Sequence, residues 1–194
     1  MSLFQWNANH GHVIITQTQD WITPYGINMV IICATSFGGA GAGGSTSDGG
    51  GGGGGSGGII FCSKVQPGTI VRVVIDSTQT NIYVNGILTA TVDAGVNASA
   101  QSGGDPGGAS FQSGGNYIFG NPIDGLVGQS ASSSTGGNGG NAAGGIEIGG
   151  VGGAGGASGS EGQGGFPYGG GGGGAGANSS DGGIPGPAGV KIQY

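Results

Sequence analysis

Charge is what this chain has least of. Only 6% of its 194 residues are charged, with Lys64, Arg72 and Lys191 as the sole bases against nine acids, for a net charge of −6. A nucleic-acid surface needs a stripe of Lys and Arg to replace the counterions on phosphate. Three scattered cations exclude one, and they exclude electrostatic binding to anionic lipid. Long hydrophobic runs are also missing. The longest, Met29 to Ala34, is strand-sized and far short of the roughly 18 residues a membrane helix needs, so no membrane insertion is expected. The opening MSLFQWNANHGHVIITQTQD lacks a basic start followed by an apolar stretch, so it does not read as a secretory signal and synthesis in a cytoplasm is expected. No stretch keeps helical periodicity over ten residues, which predicts almost no α-helix.

The parts of an active site are scarce too. There are two histidines, both near the start, and no Gly-Lys-Ser/Thr phosphate loop. The many G-x-G-x-x-G matches are inevitable in a chain with 55 glycines and carry no weight without a strand-to-helix context. No enzymatic activity and no cofactor are expected. His10 and His12 would share one side of a strand. Two imidazoles from each of three chains could meet on a trimer axis, but a pair of solvent-exposed histidines is the plainer reading and no metal is assigned. Cys33 and Cys62 each end an apolar run. Two buried thiols and a disulfide both fit.

What the chain does have is glycine and β-branched residues. Val13, Ile15 and Ile22 alternate with polar neighbours, as in a half-buried strand. Ile27 to Ala34 is a continuous apolar run, predicted to bury both faces. Ile59 to Val65 and Ile70 to Ile75 are further strands. Asn85-Gly86, between two β-branched runs, predicts a hairpin over 81–92, because both central residues of a type I′ turn favour positive φ. The whole, 1–194, reads as one domain, with N-terminal strands over 1–35 and a glycine-rich region over 36–194.

The glycines have a period. Ile148, Val151, Ala154 and Ala157 are each separated by Gly-Gly, and Thr135, Asn138 and Asn141 repeat the spacing. Three residues per turn is the repeat of the polyproline-II conformation, which has no internal hydrogen bonds. Its backbone groups can pair only with neighbours, and close approach forbids Cβ on the facing sides. Collagen would need one unbroken Gly-X-Y run rich in proline, whereas this chain has seven prolines and breaks every ten to twenty residues. The expected fold is therefore all-β and irregular: antiparallel strands packed with a bundle of eight to ten polyglycine-II helices.

Four segments carry a family resemblance. Trp21-Ile-Thr-Pro24-Tyr-Gly26-Ile27, the strand to Ala34 and the run Phe37 to Gly44 resemble the opening of the glycine-rich domains of phage tail proteins. Pro67 to Val73 resembles their second strand, Tyr117-Ile-Phe119-Gly120 an island between their glycine tracts, and Gly186 to Tyr194 their closing strand. Together these span about residues 20 to 194. The resemblance extends to T-even tail-fibre tip adhesins, and it implies a virion protein whose loops between glycine helices bind a host-cell surface receptor, protein or glycan. Other virion proteins are the further partners implied, with a homotrimer as one assembly state.

Phe111, Tyr117, Phe166 and Tyr168 lie in islands between tracts and are the candidate receptor-binding residues, since aromatics give large contact area at low entropy cost. Capping the ends of the bundle is the competing role, preferred for Phe119. Phe4 and Trp6 are candidates for docking to the virion, or for packing on the chain's own core. A purely structural virion component and an ice-binding protein are the alternative functions.

Overall fold

The computed structural model describes residues 11–143 and 148–194. Among these there is no α-helix. Ten strands form two five-stranded antiparallel sheets: β1 (His12–Ile15), β2 (Gln19–Ile22), β3 (Met29–Thr35), β4 (Gly58–Lys64), β5 (Ile70–Ile75), β6 (Gln79–Val84), β7 (Ile87–Asp93), β8 (Ala109–Phe111), β9 (Phe119–Ile123) and β10 (Gly189–Gln193). The first sheet runs β1-β10-β3-β4-β9 and the second β2-β5-β6-β7-β8. Strands are therefore not confined to the N-terminal part. β10, the last, sits between β1 and β3.

Period-two alternation sends one set of side chains inward from each sheet. Val30, Ile32, Ile59 and Phe61 from the first meet Val71, Val73, Ile82 and Val84 from the second in one buried cluster. Burying each such side chain contributes about 1.5–3 kcal/mol. β6 and β7 are joined through Asn85 (φ 54°) and Gly86 (φ 77°), the left-handed pair a type I′ turn requires. The expectation that β3 buries both faces holds for only part of it. Met29 and Ile31 remain 51% and 40% exposed. Cys33, on the same outer face, is covered by Ala143, Ile148 and Tyr168. Cys33 and Cys62 are both buried and form no disulfide. Burial pushes the Cys62 thiol above its ordinary pKa.

Between the strands the chain runs in ten glycine-rich tracts: 1 (37–44), 2 (49–57), 3 (94–98), 4 (103–108), 5 (124–129), 6 (135–143), 7 (148–157), 8 (161–166), 9 (169–177) and 10 (181–188). Their backbone hydrogen bonds run from tract to tract, and every third residue addresses the same neighbour. In tract 2, Gly50, Gly53 and Ser56 donate to the carbonyls of Ala175, Gly172 and Gly169 in tract 9. Gly52 and Gly55 donate to tract 5, and Gly54 to tract 3. Its carbonyls accept from tracts 1, 4 and 6, as in Gly39 N–H to Gly54 O, Gly104 to Gly52 and Gly140 to Gly53.

Tract 2 thus has six hydrogen-bonded neighbours. Tract 9 has six as well: tracts 1, 2, 6, 7, 8 and 10. The neighbour relations order the tracts in three rows, 3-1-10, 4-2-9-8 and 5-6-7, with tracts 2 and 9 interior. A Cβ at Gly53 would overlap the Gly39 carbonyl oxygen, and one at Gly174 that of Gly50. This is why the interior tracts are nearly pure glycine. Successive tracts alternate in direction, so all odd-numbered tracts run away from the sheets and all even-numbered ones return.

Candidate recognition surface

That alternation gathers five connections at the end of the tracts remote from the sheets. They are Ser45–Asp48, Ser99–Ser102, Ser130–Thr135, Ser158–Glu161 and Asn178–Asp181. Each is a tight turn. Ser99 and Ser102 exchange both backbone hydrogen bonds, as do Ser132 and Thr135, and Ser45 N–H donates to Asp48 O at 2.7 Å. Four of the five contain a residue at positive φ: Ala100 (47°), Ser133 (26°), Gly159 (75°) and Asn178 (64°). A non-glycine residue held there is constrained by what surrounds it.

The turns are also tied to one another. Ala131 N–H donates to Gln101 O, Asn178 N–H to Ser45 O and Gly162 N–H to Asp181 O. The result is one surface fixed by backbone bonds. Its side chains are mostly hydroxyls, with the amides Gln101 and Asn178, the carboxylates Asp48, Glu161 and Asp181, and the methyl groups of Ala100 and Ala131. It holds no aromatic residue and no Lys or Arg. Ser47 and Ser180 donate to the carboxylates of Asp48 and Asp181, at 2.7 and 3.2 Å. Each hydroxyl can both donate and accept, so this surface offers directed hydrogen bonds and no large apolar anchor.

The residues singled out from the sequence lie elsewhere. Phe111 and Tyr117 come together, stacked at 4.1 Å and 18°, with Phe111 edge-on to the core ring of Phe61. Gly120 makes room, since a Cβ there would overlap the Phe111 ring. Both belong to the strand region. Phe166 and Tyr168 sit at the sheet-facing end of tracts 8 and 9. Phe166 is 58% exposed. Tyr168 lies against Gly189, with its ring where a Cβ would stand, and packs near Cys33 and Ile148. Phe119 is 66% exposed. Phe4, Trp6 and His10 lie outside the described residues. Among the described residues, no three His, Cys, Asp or Glu side chains gather to hold a metal ion.

Sequence reasoning weighed the aromatic islands and passed over the serine-rich breaks. The missed signal is alternation: breaks at one end of the tracts are short and built on Ser, whereas among the described residues those at the other end are strands or the turn at Phe166-Pro167-Tyr168. Compared with known proteins, the chain matches no family model and no curated protein.

Proposed function

We propose that this chain is a non-enzymatic adhesin of a phage virion, sited at a tail fibre or tail tip, and that its ten tracts form a polyglycine-II bundle presenting the five remote turns to a host receptor. The observation that carries the reading is the hydrogen-bond period. Every third residue of a tract meets the same neighbour, the repeat of a three-residue turn. At about 3.1 Å per residue the nine residues of tract 9 span about 28 Å, which sets the turns well away from the sheets. Backbone-tied turns on a rigid support are where recognition residues are placed by preference.

Two experiments test this. Antibody labelling of particles is expected to place the chain at the tail extremity. A label over the capsid, or along a fibre shaft, would instead favour a purely structural component. Phage carrying Gly in place of Ser132, Ser133 and Ser134 is expected to assemble normally and adsorb at least about tenfold less, a loss of about 1.4 kcal/mol. Undiminished adsorption by this and matching variants of the other four turns refutes the adhesin reading.

One observation favours ice binding as a second reading. Tracts 6 and 7, which have the regular spacing, are hydrogen-bonded neighbours and expose Thr135, Asn138, Asn141, Val151, Ala154 and Ala157. Ice crystals that grow unshaped in a cooled solution of the chain remove it.

A further inference from the structure

The outer face of the second sheet carries a cleft that neither the core nor the turns use. Register places it there. Asp20 pairs with Arg72 across β2 and β5, and Arg72 pairs with Tyr83 across β5 and β6. Their strand neighbours Val71, Val73, Ile82 and Val84 are buried in the core, so these three side chains share the outward side. With Ile70, Asn85 and Gly86 they line a cleft of about 440 Å³, within the size range of small-molecule sites.

The chemistry of the lining is specific. Arg72 Nε stands 3.9 Å from Asp20 Oδ1, and the two side chains are 58% and 48% exposed. At that separation the pair is loose, and each partner keeps hydrogen-bonding capacity toward a ligand. A carboxylate beside a guanidinium offers acceptors next to donors, which matches a pair of neighbouring hydroxyls that each donate and accept. Asn85 adds an amide of both kinds. The half-buried Tyr83 ring supplies an apolar surface with a polar tip. The strand region holds Asp20, Asp76 and Asp93 against Lys64, Arg72 and Lys191, so its formal charge is zero and it favours no ion.

Asn85 also lines a second cleft, about 690 Å³, at the ends of the two sheets. There Asn28, Lys64, Gln66 and Asn116 surround Val65 and Val84. The two clefts meet at one residue, and both combine amides with an apolar floor.

We propose that the Tyr83 cleft binds a neutral hexose unit of a glycan, whose chain continues over Asn85 into the cleft between the sheets. This site lies on the strands, opposite the five turns, and does not depend on the adhesin reading. The test is binding of the full chain to an array of neutral and acidic hexose oligomers. Neutral oligomers of two or more units are expected to be retained. Tyr83→Ala and Arg72→Gln are each expected to weaken retention at least about tenfold, while Tyr25→Ala, at a residue 91% exposed and outside the cleft, leaves it unchanged. Arg72 is exposed, so its variant keeps the test valid if Tyr83→Ala fails to fold. Absence of neutral-glycan binding, retention of acidic oligomers in its place, or unaltered binding by both variants overturns the proposal.

Discussion

At the scale of the residue, this protein is governed by whether a Cβ fits. At Gly174 it would overlap the Gly50 carbonyl, whereas at Gly108 its nearest neighbour is an Asp124 carboxylate oxygen at 3.4 Å, an ordinary contact. Gly174→Ala is therefore expected to destabilise by about 3 kcal/mol or more through overpacking. Gly108→Ala is expected to be neutral or to stabilise by up to about 1 kcal/mol, because it narrows the unfolded ensemble. Urea unfolding of the two variants reads the contrast, and equal effects would mean that close backbone approach is not what selects glycine. The other residue-scale device is the outward asparagine. Asn138 Oδ1 accepts from Gly155 N–H at 2.8 Å, and Asn141 Oδ1 from Gly152 N–H at 2.9 Å, pairing donors of tract 7 that face a side-chain row. Asn138→Ala should cost about 1 kcal/mol, and Asn138→Asp, which keeps the acceptor, should cost less in the same unfolding measurement.

At the scale of the element, tracts and turns respond differently to change. A tract addresses a given neighbour at every third position, so deleting Gly173 shifts every later residue of tract 9 onto the wrong neighbour. That deletion is expected to abolish cooperative folding by circular dichroism, while inserting two residues at Ser132-Ser133 leaves the melting temperature nearly unchanged. The β5–β6 turn adds a pH dependence. Asp76 Oδ1 accepts from Thr78 N, Thr78 Oγ1 and Gln79 N at 2.8, 2.7 and 2.9 Å, and these bonds hold its carboxyl below the ordinary value. A folded-state pKa below the unfolded one means the stabilisation is complete above the ordinary carboxylate value of about 3.9 and is lost as pH falls through the depressed value. Urea unfolding of Asp76→Asn should lack this part of the acid dependence. The elements also show what the sequence made legible. Asn85-Gly86 and the alternating apolar runs announced strands because side-chain pattern and backbone geometry coincide there. The regular Gly-Gly-x tracts announced their period because one side of each faces outward and can carry a side chain. The pure-glycine stretches of tracts 2 and 9 hid theirs, since six neighbours leave no position free to mark it.

At the scale of the whole molecule, the chain passes between strands and tracts six times: after β3, β7 and β9, and before β4, β8 and β10. Neither part is a continuous segment. This explains why the candidate recognition surface was hard to find from sequence. Its five turns are separated by up to about two thirds of the chain, and only the alternating tract directions bring Ser45, Ser99, Ser132, Ser160 and Ser179 to one end. The aromatic islands drew attention by composition, yet Tyr168 and Phe111 are held against Gly189 and Phe61, where strands and tracts meet or within the strand core. The six crossings have an energetic consequence. Glycine tracts bury little apolar area and lose the most backbone entropy on folding, so the strand core must supply stability that the tracts share. Ile82 is fully buried in that core, and Ile82→Ala should cost about 2–5 kcal/mol. If the two parts open together, amide hydrogen exchange at Gly53 and Gly174 must accelerate by the same factor as exchange at Val73, although both glycines lie in tracts far along the chain from the mutation. Acceleration confined to the strands would instead make the tracts a unit that stands without them, and the hydrogen bonds between tracts would then have to outweigh the entropy of ordering some forty glycines by themselves.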